Sequence, residues 1–539
     1  MQRYLDRIKV DKMLLVLLFV CALMTLPLWV VISGVGHADA DVWAHLLENQ
    51  LFLLIQNTLG LVFFVGMFSL IIGTSLGWLV AMHEFVGRKW LEWALMLPLA
   101  VPAYVMAFAQ LGLFDFTGPI QTALRDITGT NVQAYFPLRS MVGVALVMSL
   151  AFYPYVYLLA RNAFKTMGQK ALEVGQSLGY SPRRAFWSVA LPMARPWLIG
   201  GLTLVTMETL ADFGTVSIFN FDTLTSGVYK AWFALFSLPT AQQLAALLLL
   251  VVFLVVGIER YWRGRRNYAA VGSMAKSKRV ALRGWRQWQA FSWALLIWLL
   301  AFILPVGQLL VWAYPTVAAD LNAEFMLFVG DSLALAAIAA SSVVIVALLM
   351  SIARRHTRSP LAPALSTLAT MGYAVPGTVL AVGLFVPVAW LDNFLIESMG
   401  THTSVSDAIL KGALLVMIWA YVVRFLAVGY SSIDTAMQRI TVNQERAARS
   451  LGASGFNLLR RLHIPLMRGG IVTALLMVFV DVMKEMPITL MMRPMGWDPL
   501  SVRIFSLTTE GLWHEAALPA LALILVGLLP VLYLVKQDD

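Results

Sequence analysis

Twelve long apolar stretches follow one another along the chain, and shorter stretches between them contain most of its polar residues. They run approximately over 13–33, 58–82, 91–112, 141–160, 197–219 and 240–258, and then over 290–313, 332–352, 365–390, 411–430, 470–491 and 517–535. Each has about the 20 residues that an α-helix needs to cross a bilayer. Continuous apolar stretches do not fit the alternating pattern of a transmembrane barrel. The pattern predicts an all-α polytopic membrane protein with twelve transmembrane helices.

Composition supports this class. Of 539 residues, 60% are hydrophobic and only 13% are charged, whereas a soluble domain has about 25% charged residues. The single cysteine, Cys21, excludes a disulfide or a cysteine metal site within the chain. No G-x-x-x-x-G-K-[ST] loop is present, so ATP, if used, must be bound by another subunit. No nucleophile–base or metal-ligand pattern stands out, and we expect a transport subunit that binds no cofactor, rather than an enzyme.

The distribution of basic residues predicts the orientation in the membrane. Of the 39 Lys and Arg residues, 31 lie in the two tails and the even-numbered loops, and six lie in the odd-numbered loops. Basic loops stay on the cytoplasmic side. We therefore expect both termini in the cytoplasm of a bacterial inner-membrane protein. The net charge of +10 reflects this topology, and we expect the lipid bilayer, and no nucleic acid, as its environment.

Short motifs recur at a nearly constant offset and indicate a duplication. Gln-Ser-Leu-Gly at 176–179 recurs as Arg-Ser-Leu-Gly at 449–452, and Val101-Pro102 recurs as Val375-Pro376. We therefore divide the chain into a first six-helix repeat (1–258), a basic cytoplasmic linker (259–289) and a second six-helix repeat (290–539). Because six is even, the two repeats insert in the same orientation, related by a pseudo-two-fold axis along the membrane normal.

The strongest matches lie in two long cytoplasmic loops, which we name the first repeat loop (171–192) and the second repeat loop (444–465). Each has helix-forming residues, then a glycine, nine further residues and an apolar stretch that ends in proline. The spacing resembles the E-A-A-x3-G-x9-I-x-L-P motif of importer-type ABC permeases, with Arg446 where the second copy would have its glutamate. The resemblance implies coupling helices that dock on a cytoplasmic ATPase, one copy per loop; a hairpin that merely joins two spans is the alternative. The candidate coupling residues are Glu173, Leu178, Gly179, Pro192, Glu445, Leu451, Gly452 and Pro465, of which Glu445 lies one residue before the motif's glutamate position.

Carboxylates occur at equivalent depths of the fifth and eleventh spans. Glu208 and Asp212 align with Asp481 and Glu485, and each pair has the i, i+4 spacing of one helix face. Charge inside a membrane is costly, so such residues need a function or a partner. One hypothesis places all four along a substrate pathway, with Glu208 and Asp212 as oxygen ligands for a hard cation. The alternative is pairing with the intramembrane bases Lys484 and Arg424.

Two further acids, Asp222 and Asp498, follow these pairs on the outer side. They are candidates for an outer gate or for contact with a substrate-delivery protein, unless they belong to simple connecting loops. In addition, Gly73 and Gly77 have the four-residue spacing that favours close helix packing.

Residues 208–233 and 481–505, together with the duplication, resemble the fused permeases of ferric iron ABC importers. The resemblance implies a permease of the type I importer class. A periplasmic iron-binding protein would deliver Fe³⁺, and two copies of an ATPase carrying ATP and Mg²⁺ would drive alternating access. Fused permeases for thiamine or another small solute share this layout. An ion-coupled secondary transporter is an alternative of a different class, but it leaves the repeated loops unexplained.

Overall fold

A computed structural model describes residues 12–36, 39–130, 137–263, 279–398, 410 and 412–538. Most of the predicted linker 259–289 lies outside the described residues, which include only 259–263 and 279–289 of it. The described chain is almost entirely helical. It contains one small parallel β-bridge between β1 (His83–Glu84) and β2 (Val280–Ala281).

The α-helices include long ones and short ones. In chain order they are α1 Lys12–Ser33, α2 Ala40–Asn49, α3 Leu51–Met82, α4 Arg88–Ala94, α5 Ala103–Phe114, α6 Pro119–Thr128, α7 Met141–Ala163, α8 Gln169–Ser177, α9 Pro182–Ala185, α10 Leu191–Ala211, α11 Gly214–Ile218, α12 Leu224–Phe233 and α13 Leu238–Arg263. They continue with α14 Trp285–Trp298, α15 Leu304–Asp320, α16 Ala323–His356, α17 Ala362–Ala369, α18 Gly377–Ser398, α19 Leu414–Gln438, α20 Val442–Ser450, α21 Gly455–Leu458, α22 Ile464–Lys484, α23 Pro487–Met492, α24 Leu500–Thr509 and α25 Trp513–Asp538.

The predicted class of fold is confirmed. Within the described residues, eleven helices are long and apolar enough to cross a membrane, and a bent helix pair raises the number to twelve. That pair, Arg88–Ala100 and Ala103–Thr128, bends by 99° where a single span was expected over 91–112. The bend follows from Pro102, which has no backbone N–H, and from the extended conformation of the residue before it.

The ninth predicted span is interrupted in the same way. In place of one helix over 365–390, α17 is followed by a 3₁₀ turn over Met371–Ala374, and α18 begins after Val375-Pro376. Val375 is extended, like Val101 in the first repeat. The Val-Pro pairs that reveal the duplication therefore mark the same interruption of the helix in both repeats.

The chain packs as two compact units, each with segments from both sequence halves. One contains the described residues through Trp43, Val228–Leu249 and Leu321–Arg503, and the other contains Ala44–Gly227, Leu250–Asp320 and the described part of Ile504–Asp539. In the former, α1 packs against α16, α17 and α18. In the latter, α15 packs against α5 and α25. The linear halves 1–258 and 290–539 remain a prediction about the sequence repeat, because the packing units do not follow them.

Small residues allow a close contact between α3 and α7. A Cβ at Gly73 would lie 2.6 Å from Val156 Cβ, and one at Gly77 would lie 2.8 Å from Ala160 Cβ. The predicted role of this glycine pair is thus confirmed, because α3 and α7 approach too closely for larger side chains. Tyr153 in α7 also donates a hydrogen bond of 2.9 Å to the Leu95 carbonyl oxygen, which holds the end of α4 in place.

Candidate functional site

The first repeat loop is a helix–turn–helix. After α8, Gly179 adopts a left-handed backbone with φ of 78°, which a side chain would strain. The backbone N–H of Tyr180 donates to the Gly175 carbonyl oxygen at 2.9 Å, and that of Gly179 donates to the Gln176 carbonyl oxygen at 2.9 Å. These bonds form a Schellman motif that satisfies the last carbonyl groups of α8.

The second repeat loop has the same turn. Gly452 has φ of 86°, and the Ala453 N–H donates to the Ala448 carbonyl oxygen at 3.0 Å. The capping box of Thr441 and Gln444 starts α20. The glycine position predicted from the repeated spacing is therefore the position at which both loops reverse direction.

Both loops enter the next long helix through a turn of π-helix. The π turns are Phe186–Ala190 and Leu459–His463, and Pro192 and Pro465 lie just after them, in the first turns of α10 and α22. The helical path is continuous across each junction. A π turn moves the hydrogen-bond register by one residue, and this accommodates a proline that has no N–H to donate.

The three residues predicted for the docking face are all exposed. Leu178 is 64% exposed and Leu451 is 88% exposed, and Glu173 also faces outward. A large exposed apolar side chain on a charged loop is suited to burial against another protein. Arg446 is exposed where the first repeat loop has Glu173, so the two loops present opposite charges at equivalent positions.

Glu445 does not face outward with the other candidates. It is only 7% exposed, with Oε1 2.5 Å from Nε of Arg355 and 3.0 Å from Nε2 of His463. Burial raises the pKa of Glu445, but the bonds from His463 and Arg355 outweigh it and hold the pKa below its ordinary value of 4.5. Sequence reasoning missed both partners, because they lie 90 and 18 residues away along the chain.

The first intramembrane acid pair lies where a long helix ends. Glu208 is in the last turn of α10, half-buried, and has interaction partners. Asp212 lies one residue beyond the helix in extended conformation. Its carboxylate accepts hydrogen bonds from the backbone N–H and hydroxyl of Thr215, both at 2.9 Å, and from the Val216 N–H at 3.3 Å. The expectation that Glu208 and Asp212 share one helix face is wrong, because the helix stops at Ala211.

The second pair repeats this arrangement. Asp481 lies in the last turn of α22, half-buried and with partners, and Glu485 follows the helix in extended conformation. The Glu485 carboxylate accepts from the Ile488 N–H at 3.1 Å and from the Thr489 N–H at 3.2 Å. Asp212 and Glu485 therefore cap the first N–H groups of α11 and α23, which attract negative charge.

The intramembrane bases that were offered as alternative partners have contacts of their own. Arg424 donates to the Val375 carbonyl oxygen at 3.1 Å, and its charge lies close enough to Glu485 to interact with it. Lys484 is half-buried and has interaction partners. In the part of the chain that is described, no cluster of three or more His, Cys, Asp or Glu side chains could hold a metal ion. Glu208 and Asp212 as a cation site remain a prediction.

The segments that contain Asp222 and Asp498, which are predicted to lie on the outer side, are fixed through their backbones in equivalent ways. The Leu224 N–H donates to the Thr58 hydroxyl at 2.9 Å, and the Leu500 N–H donates to the Ser332 hydroxyl at 2.7 Å. These bonds attach the start of α12 to α3 and the start of α24 to α16.

Both candidate outer acids lie at the start of these segments and are half-buried. The Asp222 carbonyl oxygen accepts from Asn57 Nδ2 at 2.8 Å. Asp498 is ion-paired with Arg493, and its N–H lies 3.4 Å from the Asp331 carboxylate. Both acids are thus held in ordered segments.

Comparison with known proteins finds similarity to transport permeases along most of the chain. Residues 73–268 and 343–536 each match the model of the family described as "Binding-protein-dependent transport system inner membrane component". The chain is 26% identical to "Fe(3+)-transport system permease protein FbpB 2" of Haemophilus influenzae over 92% of its length and 90% of that protein.

Shorter matches are found with other permeases. The chain is 26% identical to "Sulfate transport system permease protein CysT" of Salmonella typhimurium, over 37% of this chain and 70% of that protein. It is 35% identical to "Putative 2-aminoethylphosphonate transport system permease protein PhnV" of Salmonella paratyphi A, over 22% of this chain and 45% of that protein.

Proposed function

Since the chain belongs to the family of inner-membrane components of binding-protein-dependent transport systems, we propose that the solute it moves is ferric iron. It is a multi-pass permease subunit of an ABC importer, and permeases of this kind are not enzymes. The family implies a periplasmic binding protein and an ATPase as partners. The proposal extends this to the substrate, the two ATPase copies and the residues that couple them.

Ferric iron is supported by the extent of one similarity. The Fe(3+)-transport permease aligns with 92% of the chain and therefore covers both repeats. The sulfate and 2-aminoethylphosphonate permeases align with 37% and 22% of it. Because the substrate pathway of a duplicated permease takes residues from both repeats, a match across both repeats is the more informative. An anionic solute such as sulfate is the second candidate, and thiamine is the third.

The mechanism that we propose is alternating access. Each repeat loop would bind one ATPase copy, with both termini and both loops in the cytoplasm. ATP, with Mg²⁺ on the ATPase, would bring the two copies together, and the exposed Leu178 and Leu451 would be buried in the contact. The continuous helical paths through Pro192 and Pro465 would carry the motion into α10 and α22. Gly179 and Gly452 would keep the turns that present these surfaces.

The paired acids have different proposed roles. Asp212 and Glu485 fix the helix breaks by capping α11 and α23. Glu208 and Asp481, one turn earlier and half-buried, would face the pathway and attract a cation. Asp222 and Asp498, at the starts of the outer segments, would contact the iron-binding protein or gate the outer opening.

Uptake of radiolabelled ferric iron by cells that lack this chain tests the proposal. Labelled sulfate and labelled thiamine are measured in parallel, with wild type and a Glu208→Gln/Asp481→Asn variant at equal membrane abundance. Iron uptake that wild type restores, and that is lost in the variant, supports the substrate and the acidic pathway. Restored uptake of sulfate or thiamine in place of iron contradicts the iron assignment. Iron uptake that an uncoupler abolishes while ATP is maintained would favour ion-coupled transport.

A further inference from the structure

The second repeat loop is fixed to its packing unit by a buried cluster around Glu445. Besides binding Glu445, Arg355 at the end of α16 donates to the Met437 carbonyl oxygen at 2.9 Å and to the Ile440 carbonyl oxygen at 2.6 Å. Met437 lies in the last turn of α19 and Ile440 lies two residues after its end, a place where a basic side chain is favoured. The second bond to Glu445 comes from His463, at the start of α22. The carboxylate thus connects α20 to the end of α16 and the start of α22, and Arg355 extends the connection to the end of α19.

The charged and titratable groups around Glu445 are Arg355, His463, Arg449 and His356. Arg449 lies on the same helix, 4.0 Å from Glu445 Oε2, and its guanidinium is 3.3 Å from His356 Nε2. The rings of His356 and His463 are 6.3 Å apart. Glu445 is the one acidic residue among these five. The side chain of His463 is almost completely buried, with 2% of it exposed. Removing the carboxylate would leave buried bases without their partner, which costs more than loss of the pair itself.

The first repeat loop is held without this cluster. By the repeat offset, Leu172 and Ala190 take the places of Glu445 and His463. Aromatic rings fill the corresponding region: Trp78 of α3 contacts Phe164 and Phe186, with centroids 5.0 and 4.6 Å apart. Apolar contacts of this kind are not directional, whereas charged hydrogen bonds fix both distance and angle.

We propose that Glu445 is a positioning residue that clamps the second repeat loop to α16 and α22, so that loop and helices move as one body. The first repeat loop, held by aromatic contacts, retains more freedom. The two loops therefore contribute unequally to coupling, although their turns are the same. This inference rests on the proposed coupling role of the loops, but the clamp itself can be measured without transport.

The first experiment measures hydrogen–deuterium exchange of the full chain in detergent. Glu445→Gln is expected to speed exchange of the 442–450 amides about tenfold, as for loss of a charged hydrogen bond, and to leave 169–177 unchanged. Glu173→Gln removes the same charge from the first repeat loop, where it is exposed, and is the matched control: neither segment should change. Unchanged exchange in 442–450, or equal change in both loops, overturns the clamp.

Two further variants keep the test decisive. If Arg355 and Glu445 act as a pair, the effects of replacing them are not additive. The 442–450 amides of the Arg355→Met/Glu445→Gln double variant should therefore exchange no faster than those of the single variant with the faster exchange. If Glu445→Gln does not accumulate, Glu445→Asp, which keeps the charge on a shorter side chain, is expected to give a smaller increase confined to 442–450. An increase spread over the whole chain would contradict a local clamp.

The second experiment separates positioning from mere stability. The permease, its ATPase and its binding protein are reconstituted in vesicles, and solute uptake is divided by ATP hydrolysed. Glu445→Gln is expected to lower this ratio severalfold while hydrolysis continues. A ratio equal to that of wild type overturns the positioning role. Absence of ATP-driven uptake in wild type would contradict the proposed function and would leave the exchange result standing.

Discussion

Asp212 and Glu485 hold the same position in the two repeats: each follows the end of a long helix, and its carboxylate accepts hydrogen bonds from the third and fourth backbone N–H groups after it. Because both acids accept the same two backbone hydrogen bonds, the arrangement is a shared feature of the two repeats. The relationship gives each acid a structural role that is independent of the solute. Substitutions can therefore test the capping role of the side chain separately from any role of its negative charge in transport.

Substitution at Asp212 separates these roles. Asp212→Ala removes the cap and should lower the free energy of unfolding by about 1 kcal/mol. Asp212→Asn keeps an acceptor oxygen and should be almost as stable as wild type. Thermal unfolding in detergent and uptake at matched abundance are measured for both. Normal uptake by Asp212→Asn would contradict a need for the charge in the pathway, and lost uptake with normal stability would support it.

Substitution of the turn glycines should affect coupling more than folding. Gly179 and Gly452 have positive φ, and a Cβ at either would meet nothing within 4 Å. The cost of Gly452→Val is therefore backbone strain, about 1–2 kcal/mol. Gly452→Asn, which tolerates this conformation better, is the matched control. We expect reduced uptake per ATP for valine and a milder loss for asparagine; equal and normal coupling in both would contradict the role of the turn.

The α3–α7 contact should be intolerant of larger side chains. Gly73→Ala would bring a methyl group within 2.9 Å of the Tyr157 N and the Tyr153 carbonyl oxygen, a clash that the backbone must move to relieve. A loss of stability of about 1–3 kcal/mol is expected. Gly330→Ala in α16 is the control, since nothing lies within 4 Å of its Cβ. The check is thermal unfolding in detergent, where equal midpoints for the two variants would refute the packing argument.

Stability should depend on pH through Glu445. Its pKa is lowered in the folded chain, so the folded state binds the proton less readily than the unfolded state. Its contribution is therefore fully present above the ordinary pKa of about 4.5 and is lost as the pH falls through the lower, folded value. The difference in unfolding midpoint between wild type and Glu445→Gln should be constant near neutral pH and shrink below about pH 4.5. A difference that grows on acidification would contradict this assignment.

The sequence was most informative where a local pattern determines the backbone. Gly179 and Gly452 were identifiable because a left-handed turn after a helix favours glycine. Val101-Pro102 was recognised only as a mark of the duplication, although a proline can interrupt a helix, and single spans were expected across both Val-Pro pairs. The breaks after Ala211 and Lys484 were missed because hydropathy continues across them. The signals were nevertheless present, since Asp212 precedes Gly214 and Pro487 occupies the first turn of α23.

The cluster around Glu445 could not be predicted in the same way. Glu445 was expected among the coupling residues because it lies one residue before the glutamate position of the motif, and its burial is a matter of tertiary structure. Arg355 meets it across 90 residues of sequence, and no periodicity reports such a pairing. Contacts between distant segments depend on how helices pack, which a single sequence does not reveal.

The exchange of segments between packing units has a consequence for biosynthesis. Helix α1 ends at Ser33, but its partners α16, α17 and α18 begin with Ala323. At 5–20 residues per second, the ribosome needs roughly 15–60 seconds to make the intervening stretch of about 290 residues. During that time α1 has been synthesised, but the helices against which it packs have not. Packing of this chain therefore cannot proceed strictly from the N-terminus to the C-terminus. If translation stopped near the linker, α1 would remain without its packing partners and the product would be a substrate for degradation.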